Sequence, residues 1–289
     1  MNKSNILIQL DPDLHASVFD AVVAVDAGAT HLLQYQNVDP EQVESLVHGA
    51  MFTRGPQDLH KTAVFVGGTD VAAGEQLLSA IQDCFFGPLR VSVMMDSNGA
   101  NTTASAAVLA VAKQIDLNDC NALVLAGTGS VGKRVGQLLV QQGAHLTLAS
   151  RNQQRADDAA ASLKDSVPRA DVTGIALSDE SELSQVLQHC DVLVAAGAAG
   201  IQLVPQNLWE SSEQLKVMVD LNAVPPLGIE GIEVTDVAVE LNGKVAYGAI
   251  GVGGLKMKIH KAAIARLFES NDQILDVNEI YAIGESLGA

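Results

Sequence analysis

Along the chain, short β-type apolar runs alternate from end to end with longer Ala-rich segments in which apolar positions recur every three or four residues. Continuous or two-fold apolar runs mark strands and the 3.6-residue period marks helices, so the alternation predicts an α/β fold with a largely parallel sheet. Strands are predicted over Ile6 to Leu10, Ala63 to Val66, Arg90 to Met95, Ala122 to Ala126, His145 to Ala149, Val192 to Ala196 and Val217 to Leu221. Several are apolar at every position, as strands covered on both faces must be. Helices are predicted over about Ser17 to Asp26, Glu41 to Gly49, Ala72 to Asp83, Thr103 to Ile115, Val131 to Gln142, Gln153 to Leu163, Ser181 to His189 and Lys256 to Glu269.

The polar, glycine-containing stretch Asp96-Ser97-Asn98-Gly99-Ala100-Asn101-Thr102-Thr103 separates a first α/β block from a second that begins near Asn121. A domain junction is expected there, with the following helix as connector. Its apolar stretch, Ala104 to Ala112, suits burial against a neighbouring copy or against its own sheet. From Gly251 onward the pattern reads as a Gly-rich loop, a long amphipathic helix and a short last helix returning to the first block. The expected division is residues 1–104 plus 257–289 in one domain and 105–256 in the other.

Composition narrows the function. The 289 residues, 48% hydrophobic, suit one or two domains with a well-buried interior. Seventeen Lys plus Arg against thirty-four Asp plus Glu leave a net charge of −17, which repels phosphate backbones and anionic lipid head groups. Nucleic acid and membrane surfaces are therefore not expected partners. Cys84, Cys120 and Cys190 form no CxxC and no Cys/His ligand spacing, which fits a reducing compartment and no metal site. The N-terminus has only a short apolar run before Asp11 and Asp13, which reads as neither a signal peptide nor a spanning segment, so a cytoplasmic protein is expected.

The most specific local signal is Gly127-Thr128-Gly129-Ser130-Val131-Gly132, a GxGxxG that follows a predicted strand, opens a predicted helix and precedes a second strand. That context marks a dinucleotide site. Gly127 permits the tight turn, Gly129 lets backbone approach a pyrophosphate, Gly132 allows close helix contact, and the helix N-terminus favours phosphate. The end of the second strand selects the nucleotide. An NAD site usually carries a carboxylate there, whereas this chain has Ser150-Arg151-Asn152, a hydroxyl and a guanidinium suited to a 2′-phosphate. NADP is favoured, although Arg151 also suits a solvated strand end. Arg155, one turn on, suits either role. Ala196 and Gly197, in a small-residue turn after a strand, would let backbone pass the nicotinamide ribose or simply pack a tight loop. Asn222, after the last predicted strand, completes the expected cofactor set.

Five segments carry a resemblance: Ser17-Val-Phe-Asp20; Met51-Phe-Thr-Arg54-Gly55; Phe65-Val-Gly-Gly68 with Ala72-Ala-Gly74-Glu75; Phe86-Gly-Pro88 through Met95-Asp96-Ser97-Asn98-Gly99 with Asn101-Thr102-Thr103; and Gly248-Ala-Ile-Gly251-Val-Gly253-Gly254-Leu255-Lys256. Together they resemble the NADP-dependent methylene-tetrahydromethanopterin/methylene-tetrahydrofolate dehydrogenases of bacterial one-carbon metabolism. The likeness runs from about residue 5 to 283 and is most specific in DSNGxNTT and GxGGLKxKxH, outside the dinucleotide motif. It implies an oxidoreductase that moves a hydride from the methylene bridge of methylene-tetrahydromethanopterin to NADP⁺, with methylene-tetrahydrofolate left open as a further substrate. It further implies an N-terminal pterin domain, a C-terminal Rossmann-type NADP domain, a substrate cleft between them and a homo-oligomer, trimer or dimer. Family members that accept NAD as well leave NAD open here, and Asn152 stands where many carry a second basic residue.

Such a reaction needs no acid or base at the chemical step, because the flanking nitrogens stabilise the methenyl cation as hydride leaves. The absence of a Ser-His-Asp set, a Tyr-x-x-x-Lys motif or a metal cluster in the sequence is consistent with that. A nearby carboxylate favours the developing cation. Asp20 fits this role, or that of a solvated helix carboxylate. The resemblance places Lys256 at the active site, and its residue-level reading is a helix-start lysine after a Gly-rich loop, where the dipole disfavours it. Ser97, Asn98 and Thr102 are expected to touch the pterin or nicotinamide, or to cap the helix that follows. Arg54 and Lys61 fit an anionic pterin tail or ordinary salt bridges. His15 and His260 lack paired partners in sequence and are left out of the catalytic set. Trp209 and Phe268 read as core or interface. Two alternatives remain at this stage: a shikimate-dehydrogenase-like reductase, which wants a Lys/Asp pair in the first block where only Lys61 follows Lys3, and a non-catalytic NADP sensor.

Overall fold

Residues 3–288 are described in the computed structural model of the protein. The chain divides into one unit built from the segment up to Thr102 together with Met257–Leu287, and another built from Thr103–Lys256.

In the first unit the order is β1 (Ile6–Leu10), α1 (Val18–Asp26), β2 (His31–Tyr35), α2 (Pro40–Phe52), β3 (Thr62–Val66), α3 (Val71–Asp83) and β4 (Ser92–Met95). The helix starts follow side-chain chemistry. Ser17 caps α1 by accepting from the Asp20 N–H, Asp39 and Gln42 form a capping box ahead of Pro40 in α2, and Asp70 accepts from Ala72 and Ala73 at α3. On one sheet face Ile8, Leu10, Val64 and Val66 pack against Val47 and Leu77 of α2 and α3, each such burial contributing about 1.5–3 kcal/mol.

α4 (Ala100–Ala112) leads into the second unit, which runs β5 (Asn121–Leu125), α5 (Ser130–Gln141), β6 (His145–Ser150), α6 (Gln153–Ser166), β7 (Val172–Ala176), α7 (Glu180–Leu187), β8 (Val192–Ala195), α8 (Gln206–Glu210), β9 (Val217–Asp220), β10 (Val239–Leu241) and β11 (Lys244–Tyr247). α9 (Ala249–Arg266) then carries the chain back, and β12 (Ile274–Leu275) and α10 (Val277–Ser286) complete the first unit. The last segment is laced along β4: Ile274 and Leu275 pair in parallel with Val93 and Met94, the Ser92 hydroxyl donates to the Ser270 carbonyl at 2.9 Å, and the Asn271 amide donates to the Pro88 and Arg90 carbonyls.

The first sheet is wholly parallel in the order β12-β4-β3-β1-β2, and its direction of winding reverses between β1 and β3. The second sheet has the order β10-β11-β9-β8-β5-β6-β7 and is parallel except for the β10–β11 hairpin, with its reversal between β5 and β8. Both are doubly wound orders, and ligands of such sheets bind beyond the carboxyl ends of the strands at the reversal.

Several sequence expectations change. The Gly-rich stretch from Gly251 is not a loop but the start of α9. The N–H groups of Ile250 and Gly251 are satisfied by the Val234 carbonyl at 2.7 and 3.2 Å, which supplies the tertiary cap that glycine propensity hides. Gly251 must lack a Cβ because one would overlap the Asp236 carbonyl oxygen, whereas a Cβ on Gly253 or Gly254 would meet nothing within 4 Å. The apolar face of α4 is buried within the chain itself, with Ala104 and Ala106 to Val111 almost wholly covered, so it is not a free face for a neighbour. Strands β2, β7, β10, β11 and β12 were not predicted: β2 is largely exposed, β7 carries a central glycine, and the other three have two to four residues each. Trp209 and Phe268 are core residues, the indole N–H donating to the Glu230 carbonyl at 2.8 Å. Among the described residues no helix is long and apolar enough to cross a membrane.

Candidate active site

In the second unit the GxGxxG turn leaves β5 at the β5/β8 reversal. The left-handed residue is Ala126, at φ 53°, rather than Gly127. Gly127 is required for a different reason: a Cβ there would lie 2.7 Å from Leu148 Cδ2 and 2.9 Å from the Val124 carbonyl. A Cβ on Gly132 would press to 2.8 Å on both the Ala126 carbonyl and the Gly127 Cα, so that glycine seats α5 on the turn. Gly129 is the N-cap of α5 and brings no side-chain acceptor to it. A helix start capped by bare backbone, next to positions with no room for a side chain, fits a dinucleotide pyrophosphate.

At the carboxyl end of β6, Ser150 is half-buried and Arg151 is exposed, with no carboxylate among residues 150–152. Asn152 is the N-cap of α6, its Oδ1 accepting the Arg155 N–H at 3.0 Å, which gives a structural reason for an amide at that position. Past β8, Ala196 and Gly197 are half-buried, and a Cβ on Gly197 would meet Leu203 Cδ1 at 2.7 Å. Past β9, Asn222 holds the turn that follows: its Nδ2 donates to the Pro226 carbonyl at 3.1 Å and its Oδ1 accepts the Val224 N–H at 3.0 Å. Behind it the buried Asp220 accepts from the Asn222 and Ile229 N–H groups, and burial pushes its carboxyl pKa up.

In the first unit, residues singled out from sequence meet at the β1/β3 reversal around Gly67-Gly68. The Asp20 carboxylate lies 3.5 Å from where a Gly67 Cβ would stand, and Asp11 closer still at 3.2 Å. The Ser97 hydroxyl donates to the Gly67 carbonyl at 2.6 Å, and the Asn98 N–H to the Gly68 carbonyl at 2.6 Å. Ser97 is buried, and a Cβ on Gly74 of α3 would overlap its hydroxyl. Thr102 is also buried, with its hydroxyl and N–H given to Asp96 at 2.6 and 3.0 Å. Asn98, at φ 56°, is the exposed member of the three. Gly67 and Gly68 enter the sequence reading only within a resemblance segment and Asp11 only as a charge near the N-terminus, none with a site role, although two glycines directly after an apolar strand are a readable sign of close backbone approach.

Lys256 is half-buried inside α9, seven residues past its first residue, so the dipole argument for a first-turn lysine does not apply. His260, one turn further on, is fully buried, and its Nδ1 lies 4.0 Å from Asp96 Oδ2. The long-range partner that sequence spacing cannot reveal is therefore present. Arg54 gives its guanidinium to the Lys61 and Ser4 carbonyls at 2.7 and 3.0 Å, which makes it a backbone tie rather than an ion-pair partner. Among the described residues no three His, Cys, Asp or Glu side chains gather as a metal site. A cavity of about 590 Å³ beside Asn121, Thr147 and His189 lies toward the amino end of β5, away from the Gly-rich turn.

Residues 18–98 match the family described as methylene-tetrahydromethanopterin dehydrogenase, N-terminal, and residues 126–224 match an NAD(P)H-binding family. The chain is 43% identical over 284 residues to the bifunctional protein MdtA of Methylorubrum extorquens, covering 98% of each protein. It is 30% identical over 289 residues to the NAD(P)-dependent methylenetetrahydromethanopterin dehydrogenase of the same organism, covering 96% of this chain and 97% of that one. Among solved structures it resembles a shikimate 5-dehydrogenase from Mycobacterium fortuitum (TM-score 0.55, 15% identity, 98% of both chains) and quinate dehydrogenase from Corynebacterium glutamicum (TM-score 0.51, 15% identity, 98% of this chain and 99% of that one). At these identities the structural likeness is one of fold.

Proposed function

The chain belongs to the methylene-tetrahydromethanopterin dehydrogenase family, and on that basis we propose that it transfers a hydride from the methylene bridge of methylene-tetrahydromethanopterin to NADP⁺, leaving the methenyl form. Methylene-tetrahydrofolate is its second candidate substrate. The observation that carries the reading furthest is the meeting of Asp20, Ser97 and Asn98 at the Gly67-Gly68 turn, on the reversal point of a doubly wound sheet.

NADP⁺, when bound, supplies the hydride acceptor. The protein's part is position and field. In this reading the backbone from Gly127 through Thr128, Gly129, Ser130, Val131 and Gly132 holds the pyrophosphate, Ser150 and Arg151 hold the 2′-phosphate, and Ala196, Gly197 and Asn222 line the nicotinamide ribose. Asn98 offers its exposed amide to the pterin, while Ser97 and Thr102, whose hydroxyls are spent internally, fix the turn that carries it. Asp20 stabilises the positive charge that develops on the substrate and accepts from the pterin's amino group. Lys256 donates a hydrogen bond to a pterin nitrogen or oxygen. The segment up to Thr102 with the returning tail takes the pterin, and the Thr103–Lys256 unit takes NADP. The same reading takes the protein as a homo-oligomer, trimer or dimer, and as cytoplasmic, the latter in accord with its three free cysteines.

The test is absorbance at the reduced-nicotinamide band when the purified protein meets NADP⁺ and either methylene pterin. Reduction that depends on the pterin is expected, and no signal with either pterin removes the reading. The shikimate-type alternative gains nothing from fold likeness alone.

A further inference from the structure

The residues assigned to the pterin sit on three separate elements: Asp20 on α1, Asn98 just past β4, and Lys256 on α9. One buried side chain touches or adjoins all three. His260 is 0% exposed, its ring stacks on Phe65 of β3 at 5.7 Å and 23°, and it lies against Phe19 of α1 at 6.3 Å. Phe19 directly precedes Asp20. On another side, His260 Nδ1 is 4.0 Å from Asp96 Oδ2, and Asp96 is itself 1% exposed and accepts from both the hydroxyl and the N–H of Thr102. Asp96 directly precedes Ser97 and Asn98. His260 is also four residues after Lys256 on the same helix, so the two side chains share a face one turn apart.

We propose that the buried Asp96–His260 pair is the positioning hub of the pterin site. Within the first unit it holds α9 from Met257 onward against the strand end that leads into Asn98 and against the α1 turn that carries Asp20. The inference rests on the pterin-dehydrogenase reading and adds to it two residues with no proposed contact to substrate or cofactor. A buried imidazole beside a buried carboxylate is costly to place unless the pair is held by further contacts. Here the ring has Phe65 on its face and the carboxylate has Thr102, so the arrangement is over-determined, as a positioning element must be. Leucine would fill the same volume for packing alone, but it would leave Asp96 without its facing ring nitrogen.

The test compares His260→Gln, Asp96→Asn and the His260→Gln/Asp96→Asn double variant in the pterin-dependent NADP⁺ reduction assay. For His260→Gln the expected result is a fall in kcat of about ten- to a hundredfold, the size typical of a reacting pair held about an ångström out of place. KM for NADP⁺ should stay within twofold of the parent. Because the two side chains act as one unit, Asp96→Asn is expected to slow the reaction as His260→Gln does, and the double variant to be about as slow as the slower single variant. Parent-like kcat in His260→Gln, or losses that multiply in the double variant, would overturn the proposal while leaving the activity intact. Should His260→Gln fail to fold by circular dichroism, Phe65→Leu removes the stacking ring and keeps both polar partners. It is expected to lower kcat with KM for NADP⁺ unchanged, and a parent-like kcat would again refute the hub. An inactive parent chain would instead remove the dehydrogenase reading, and this inference with it.

Discussion

In the proposed reading, Arg151 is the residue on which nucleotide choice turns. A charge-assisted bond to phosphate is worth about 1.5–3 kcal/mol, so Arg151→Asp is expected to lower kcat/KM for NADP⁺ by about ten- to a hundredfold. With NAD⁺ the same variant should hold or gain, since a carboxylate there accepts from the ribose 2′-hydroxyl. Steady-state rates with both nucleotides decide it, and an unchanged NADP⁺/NAD⁺ ratio defeats the assignment. At this scale the sequence disclosed what depends on neighbours in the chain. The GxGxxG turn was legible because strand, glycines and helix are contiguous, and Asn152 is explained by a cap only three residues long. It did not disclose that Arg54 is spent on the Ser4 and Lys61 carbonyls, nor that Asp96 faces His260, because those partners lie up to 164 positions apart and no local pattern encodes them.

Among the elements, α9 departs most from its sequence pattern. Three glycines in its first six residues argue for a loop on propensity alone, and the helix forms because the Val234 carbonyl closes its start. Two neighbouring substitutions should therefore act in opposite directions. Gly251→Ala forces a methyl into the Asp236 carbonyl and is expected to cost about 1–3 kcal/mol of stability. Gly254→Ala enters open space in an exposed helix interior and is expected to gain about 0.5–1 kcal/mol. Urea unfolding midpoints of the two variants check the signs. If both destabilise, the tertiary cap is not what holds this helix. The strands divide along the same line. Those in the middle of a sheet, such as β3, β5 and β8, are apolar apart from the first residues Thr62 and Asn121 and were visible, whereas the edge strand β2 and the Gly-containing β7 owe their pairing to neighbours already in place.

For the whole molecule the dominant quantity is a net charge of −17, with an isoelectric point near 4.6. Acidification from neutrality should first stabilise the fold, as like-charge repulsion falls. Asp220 adds to this, because burial raises its folded pKa above the ordinary 3.8 and its penalty is relieved as pH falls through that folded value. Asp191 acts in the opposite direction. Burial alone would raise its pKa, but hydrogen bonds from Lys216, the Asn121 N–H and Gln214 outweigh it and hold the pKa below 3.8. Its contribution is therefore complete above pH 3.8 and lost as pH drops through the folded value. Denaturant midpoints measured from pH 3 to 8 should rise and then fall, and Asp191→Asn should flatten the acid limb. A steady decline from neutrality downward would contradict this balance.

The tail laced along β4 also sets an order of events during synthesis. Residues Thr103–Lys256 are contiguous and can fold as soon as they clear the ribosome, while the N-terminal sheet lacks its outermost strand until Ile274 and Leu275 emerge. The segment up to Thr102 is thus finished after the unit that follows it, and the nascent chain must keep the β4 edge soluble until Ile274 and Leu275 arrive to cover it.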